Sequence, residues 1–242
     1  MNAWRAVVVL VGLVAGPMNA LAVPVTWEAR GSVESTNLST AFFASFIPEL
    51  TGAQADDDLA LRITFDTDAA SVGQRTLPAG GTMFSFDASS LVLELQIADR
   101  DPHVFAVDAS IPPGATPSFL QVVDDQVIDD LLVLDGLRFQ QNYFAESGSL
   151  QFHVIVAFLS ADTSIVGGGV LPLEPDPRFS VGTDREITIV DFASDGNERL
   201  VGVFSSLVRL PATVPEPGSL VLSCLGLAAL LAIRRDRTRR AA

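Results

Sequence analysis

"LALRITFD", residues 59–66, sets Leu59, Leu61, Ile63 and Phe65 on one side of an extended chain and Ala60, Arg62, Thr64 and Asp66 on the other. Successive side chains of a strand point to opposite faces, so this two-residue period belongs to a strand with one dry and one wet face. The same reading extends outward from it. "LVLELQI" (91–97) keeps Leu91, Leu93, Leu95 and Ile97 in phase, and "VTWEARGSVES" (25–35) reads as an opening strand. "HVFAVDA" (103–109), "LLVLDGLRF" (131–139), "SLQFHVIVAF" (149–158), "EITIV" (186–190) and "LVGVFSSLV" (200–208) continue it. Breakers separate these runs: Pro78-Ala79-Gly80-Gly81, Pro112-Pro113-Gly114, Gly167-Gly168-Gly169 and Asp195-Gly196-Asn197. The expectation is an all-β domain over 23–208, an antiparallel β-sandwich or open barrel of roughly ten to twelve short strands. Only Ser39–Ile47 and Val123–Leu132 leave room for a turn or two of helix. No internal repeat of the length used by solenoids or propellers is visible.

Charge is distributed unevenly. The 242 residues carry a net charge of −14, yet residues 23–214 alone hold 9 Arg against 27 acids. Such a body repels a phosphate backbone, which rewards Lys and Arg, so nucleic acid is not an expected partner. All 15 basic residues are Arg, which reads as codon usage. The single Cys, Cys224, forbids an intrachain disulfide, so stability must come from the apolar core.

Both ends read as addresses. At the start, Arg5 precedes an apolar run from Ala6 to Gly16, Pro17 breaks it, and Ala20-Leu21-Ala22 supplies small residues at a cleavage site. That is the layout of a signal peptide, residues 1–22, cut after Ala22 by signal peptidase once the export machinery has engaged it. At the other end, Gly218 to Ile233 is 16 residues without a charge. As a helix it would measure about 24 Å, and snorkelling Arg side chains can make up the difference to a bilayer. The Arg-rich tail, 234–242, begins with Arg234 and Arg235 and would stay cytoplasmic, which orients 218–233 as a transmembrane helix running outside to inside. Residues 209–217 form a linker. In it Pro215 and Pro217 remove two amide donors and push Val214 and Glu216 towards extended backbone, leaving a peptide that a processing enzyme can grip.

Val214, the Pro215-Glu216-Pro217 triplet, the short apolar segment and the terminal Arg cluster, in that order, resemble the PEP-CTERM sorting signal of Gram-negative bacteria. The resemblance is confined to residues 214–240. It implies an exosortase as partner, an inner-membrane-anchored precursor, and release to the cell surface or the extracellular medium. Many such proteins accompany exopolysaccharide and biofilm genes. Leu210-Pro211-Ala212-Thr213 also looks like the start of a sortase signal, but Val214 stands where that signal needs the Gly at which sortase cuts.

The body offers little chemistry. His103 and His153 with one Cys do not make a zinc set. No Gly-x-Ser-x-Gly elbow and no phosphate-cradling Gly loop are present. No cofactor and no catalytic residue are expected, although calcium, which takes six to eight oxygens, would find weak candidates in Asp56, Asp57, Asp58, Asp66 and Asp68. The intervening strand separates the first three from the last two by about 20 Å, so each group would need partners from another loop, such as Asp124–Asp130 or Asp191–Glu198. The functional expectation is an exported surface or matrix protein that acts by binding or bulk. The alternative is a secreted carbohydrate-active hydrolase using paired carboxylates.

Overall fold

The computed structural model describes residues 24–211, apart from 79, 108–116, 129–131, 146, 168, 182–183 and 193–197. The expected signal peptide (1–22), the linker residues from Ala212 onwards, the expected transmembrane helix (218–233) and the Arg-rich tail (234–242) therefore lie outside the described residues. Among the described residues, no helix is long and apolar enough to cross a membrane.

Eleven strands are described: β1 (Val25–Thr36), β2 (Asp58–Phe65), β3 (Ser71–Thr76), β4 (Thr82–Asp87), β5 (Val92–Ile97), β6 (His103–Ala106), β7 (Phe119–Ile128), β8 (Leu132–Phe144), β9 (Leu150–Ser160), β10 (Asp184–Asp191) and β11 (Glu198–Arg209). Every pairing is antiparallel. They form one continuous sheet in the order β3-β4-β7-β8-β9-β10-β11-β1-β2-β5-β6. The all-β antiparallel reading and the strand number hold. The architecture is a single curled sheet with β3 and β6 as its edges, rather than two separate hydrogen-bonded sheets.

The curl follows from ring distances. Phe65 on β2 and Phe139 on β8 are five strand spacings apart along the sheet, about 24 Å if it were flat. Their ring centroids are 5.4 Å apart. Trp27 on β1 meets both, at 5.2 Å from Phe65 and 6.5 Å from Phe139, each edge to face. The sheet therefore folds its dry face onto itself. Leu59, Leu61, Ile63 and Phe65, the residues of one phase of β2, all lie in that core. A twisted sheet of this many strands buries its apolar face by curling in this way. Polar groups help to close it: the buried Gln141 amide of β8 donates to Leu91 O at 3.0 Å and to Phe105 O at 3.2 Å.

The stretch Ser39–Ile47 contains helix α1 (Thr40–Phe46). The Ser39 hydroxyl caps it by accepting the Phe42 N–H at 3.2 Å. Phe42 and Phe46 then pack on Phe152 of β9, at 5.5 and 5.2 Å. The helical reading of Val123–Leu132 is corrected where the stretch is described: Val123–Ile128 belongs to β7 and Leu132 opens β8. Its irregular phase comes from a β-bulge, as Val123 pairs with Gly136 but Gln126 pairs with Leu134. The strand β11 runs to Arg209, and the Leu210 N–H still donates to Thr26 O at 2.9 Å.

Candidate functional site

On the wet face, charge is laid across strands. Glu28, Arg62 and Glu94 are register partners on β1, β2 and β5. Arg62 reaches Glu28 at 3.4 Å and Glu94 at 3.1 Å, and Arg30 reaches Glu28 at 2.7 Å. Burial raises the pKa of Glu28, but hydrogen bonds from Arg30 and Arg62 outweigh it and hold the carboxyl below its usual range. Beside this ladder a groove of about 430 Å³ opens among Arg30, Asp58, Gln96 and Asp99. It is polar, carries two acids, and has no aromatic ring in its lining on which a sugar could stack.

Of the five sequence-predicted calcium candidates, Asp56, Asp57 and Asp58 sit before or at the start of β2, and Asp66 and Asp68 after its end. The strand length keeps the groups apart, as expected. Asp57 is engaged elsewhere: its Oδ2 accepts from Arg100 Nη1 and from the Gln54 N–H, both at 3.0 Å. Asp66 Oδ1 accepts the Asp68 N–H at 2.8 Å, a local turn held by its own side chain.

Among the described residues, the carboxylates that converge are those of Asp124, Asp125 and Asp135, each offering an oxygen within 4.8 Å of the others. The bulge brings them together. Asp124 and Asp125 are the two residues of β7 that stand opposite the single residue Asp135 of β8. Asp125 has φ of 55°, in the left-handed region. Its N–H donates to Asp135 Oδ1 at 2.7 Å. Asp135 is fully buried, on the same face of β8 as Leu137 and Phe139. Burial pushes its carboxyl pKa up. The backbone N–H groups of Asp125 and Val166 work against this rise, and the charges of Asp125 and Asp124 add to it. Sequence reading placed Asp124 and Asp125 in an acidic cluster, Asp124–Asp130, at a strand end or loop, whereas they lie within β7, and it missed Asp135. The available signal was an acid in the apolar phase of "LLVLDGLRF".

The two histidines do not meet in a metal group among the described residues. His103 Nδ1 lies 2.7 Å from Glu49 Oε2. His153 stands edge-on to Phe192, with centroids 4.7 Å apart. Burial, and then the charge of Arg138, bring its pKa down from 6.5 to about 4. Between those values the unfolded chain binds the proton and the folded one does not, so stability is complete above about pH 6.5 and drains away as pH falls towards 4. Discounted for the partial exposure of the ring, the loss is about 2 kcal/mol. Urea midpoints at pH 7 and pH 4.5 measure it. His153→Phe is expected to flatten that part of the profile, and an unchanged slope in the variant would contradict the assignment.

A family model of the PEP-CTERM protein-sorting motif matches residues 213–237. The chain carries a PEP-CTERM sorting motif. The match takes in Val214, Pro215, Glu216 and Pro217, the apolar segment, and Arg234 and Arg235. No curated protein and no solved structure matches the chain. The PEP-CTERM motif, like Ala20 and Ala22 of the expected signal-peptide cleavage site, lies outside the described residues, so its reading rests on sequence alone. Its position fits the fold, because the last described strand ends at Arg209, just before it.

Proposed function

We propose that this is an exported protein of the cell surface or extracellular matrix. An exosortase processes it at the PEP-CTERM motif, and the curled β-domain acts by binding or as structural bulk, with exopolysaccharide of a biofilm as its partner. The observation that carries the reading is the motif match at residues 213–237. On this reading the precursor passes the export machinery, loses residues 1–22 to signal peptidase, and stays in the inner membrane through 218–233 until exosortase cuts near Pro215-Glu216-Pro217. The physical chemistry of the tail supports this order. A helix of that length with cationic residues only at its inner end resists full translocation, and two prolines keep the preceding peptide extended. The strongly acidic body supports a soluble, well-hydrated life outside the cell.

Intact-mass measurement of the protein from its host tests the scheme. The expected mature chain begins at Val23 and ends in the 215–217 region. In a strain lacking exosortase the Arg-rich tail is expected to remain. Retention of residues 1–22 would sink the export step, and retention of the tail in an exosortase-positive host would sink the sorting step. The hydrolase alternative would use the two acids of the polar groove, Asp58 and Asp99. Release of reducing sugar ends by the mature protein, lost in Asp58→Asn, would replace the binding reading with that one.

A further inference from the structure

We infer that Asp124, Asp125 and Asp135 form a calcium site built on the β7–β8 bulge. Two independent observations point to a cation there. The first is convergence: three carboxylates from two strands present oxygens within 4.8 Å of one another. The second is an orphan: Asp135 Oδ2 is buried with no hydrogen-bond partner. The Val166 N–H faces this carboxyl but completes no hydrogen bond to Oδ2. As a carboxylate, Oδ2 lacks a donor. Leaving it buried without one costs the full desolvation of the group. A cation seated among the three acids supplies what Oδ2 lacks and also cancels the repulsion of Asp124 and Asp125.

The ligand chemistry selects the ion. The donors are all oxygen, with no imidazole or thiolate, which suits a hard divalent cation rather than zinc or copper. Two of the three ligands are adjacent residues on a bulge, an irregular arrangement that calcium's flexible shell accepts. Magnesium demands a near-ideal octahedron and gives up its waters reluctantly. Three carboxylates leave at least three positions of a calcium shell for water or carbonyl oxygen, consistent with the half-exposed Asp124 and the exposed Asp125 on the open side. The bulge is held in place from behind. Gly81 has φ of 82°, and a Cβ there would fall 2.1 Å from Asp125 O, so the β3–β4 hairpin packs directly against the bulge backbone.

The experiment uses the full chain purified in detergent micelles and stripped with chelator. Its thermal midpoint is followed with no added metal, with millimolar Ca²⁺ and with millimolar Mg²⁺ at matched ionic strength. A ligand that binds only the native state raises the midpoint by mass action, and a rise of several degrees is expected with Ca²⁺ and a smaller one with Mg²⁺. Asp125→Asn changes an exposed side chain and leaves the fold intact, and it is expected to lose most of the calcium response. Asp135→Asn keeps an oxygen for the Asp125 N–H and is expected to lose all of it. Asp66→Asn, at the far end of β2, is expected to keep it. Equal midpoints with and without calcium would overturn the site, as would a calcium response that survives both Asp125→Asn and Asp135→Asn.

Discussion

Replacing Trp27 with alanine is expected to cost about 4 kcal/mol of stability, the range measured for deleting a large buried aromatic ring. Trp27 is fully buried and stands where the two walls of the curl meet. Its ring faces Phe65 of β2 at 5.2 Å and Phe139 of β8 at 6.5 Å, and these two rings are 5.4 Å apart. Removing the indole opens a void that neither neighbour can fill, because each is fixed to a strand paired on both sides. The lost term is therefore transfer energy plus cavity, with aromatic edge contacts in addition. The indole N–H contributes little, since its bond to Leu173 O is long at 3.4 Å. Urea unfolding compares this variant with Val72→Ala on the edge strand β3, where the side chain is 64% exposed and the change is expected to stay within 0.5 kcal/mol. A Trp27→Ala loss under 1 kcal/mol would mean that the walls do not close on this ring, and the curled-sheet account would fail with it.

The fold was legible in the sequence wherever a strand keeps one dry face along its whole length. β2 and β5 do so, and their phases were read from alternation alone. β3 does not: every residue from Ser71 to Thr76 is exposed, so an edge strand with no buried face leaves no alternation to find. β7 was obscured differently. Its bulge at Asp124 and Asp125 shifts the phase midway, so neither half fits one period and the stretch passed for a helical turn. Whether the strands join into one sheet was left open, since the alternation fits a two-sheet sandwich and an open barrel equally well. Periodicity tells which face of a strand is dry, but pairing order and curl are decided by contacts between residues such as Phe65 and Phe139, far apart in the chain.

The sites divide in the same way. The sorting signal was legible because its elements, the Pro-Glu-Pro triplet, an apolar run and an Arg cluster, are contiguous in the sequence and can be recognised without knowing the fold. The acid group was only half legible. Asp124 and Asp125 stand together in sequence, but the residue that turns them into a site, Asp135, is brought opposite them by the β7–β8 register. The acids flanking β2 attracted notice by number. Placed on the strand, they are divided between its two ends, with Asp57 already held by Arg100.

Gly31→Ala is expected to destabilise the sheet by more than the ~1–3 kcal/mol of ordinary overpacking, although it adds a single methyl group. Gly31 lies in β1, paired with Phe204 of β11 on one side and Leu59 of β2 on the other. The β1–β11 register shifts at this point: Arg30 pairs with Ser206 and Gly31 with Phe204. The extra residue, Ser205, donates its hydroxyl to Arg30 O at 3.1 Å. This bulge presses the two backbones together. A Cβ on Gly31 would sit 1.9 Å from Val203 O and 2.7 Å from Phe204 Cα. Both atoms are main chain, so no rotamer change relieves the clash. Relief requires β1 and β11 to separate, and these are inner strands whose pairing holds the β2 side of the sheet to the β10 side. Gly73→Ala supplies the control. Gly73 is on the edge strand β3 and has nothing within 4 Å of an added Cβ, so alanine there is expected to be neutral or to stabilise by a few tenths of a kcal/mol through the unfolded chain. Urea midpoints of the two variants decide the matter: a large fall for Gly31→Ala with none for Gly73→Ala is the expected result, and similar small changes in both would show that the β1–β11 bulge is not as closely packed as its backbone distances require.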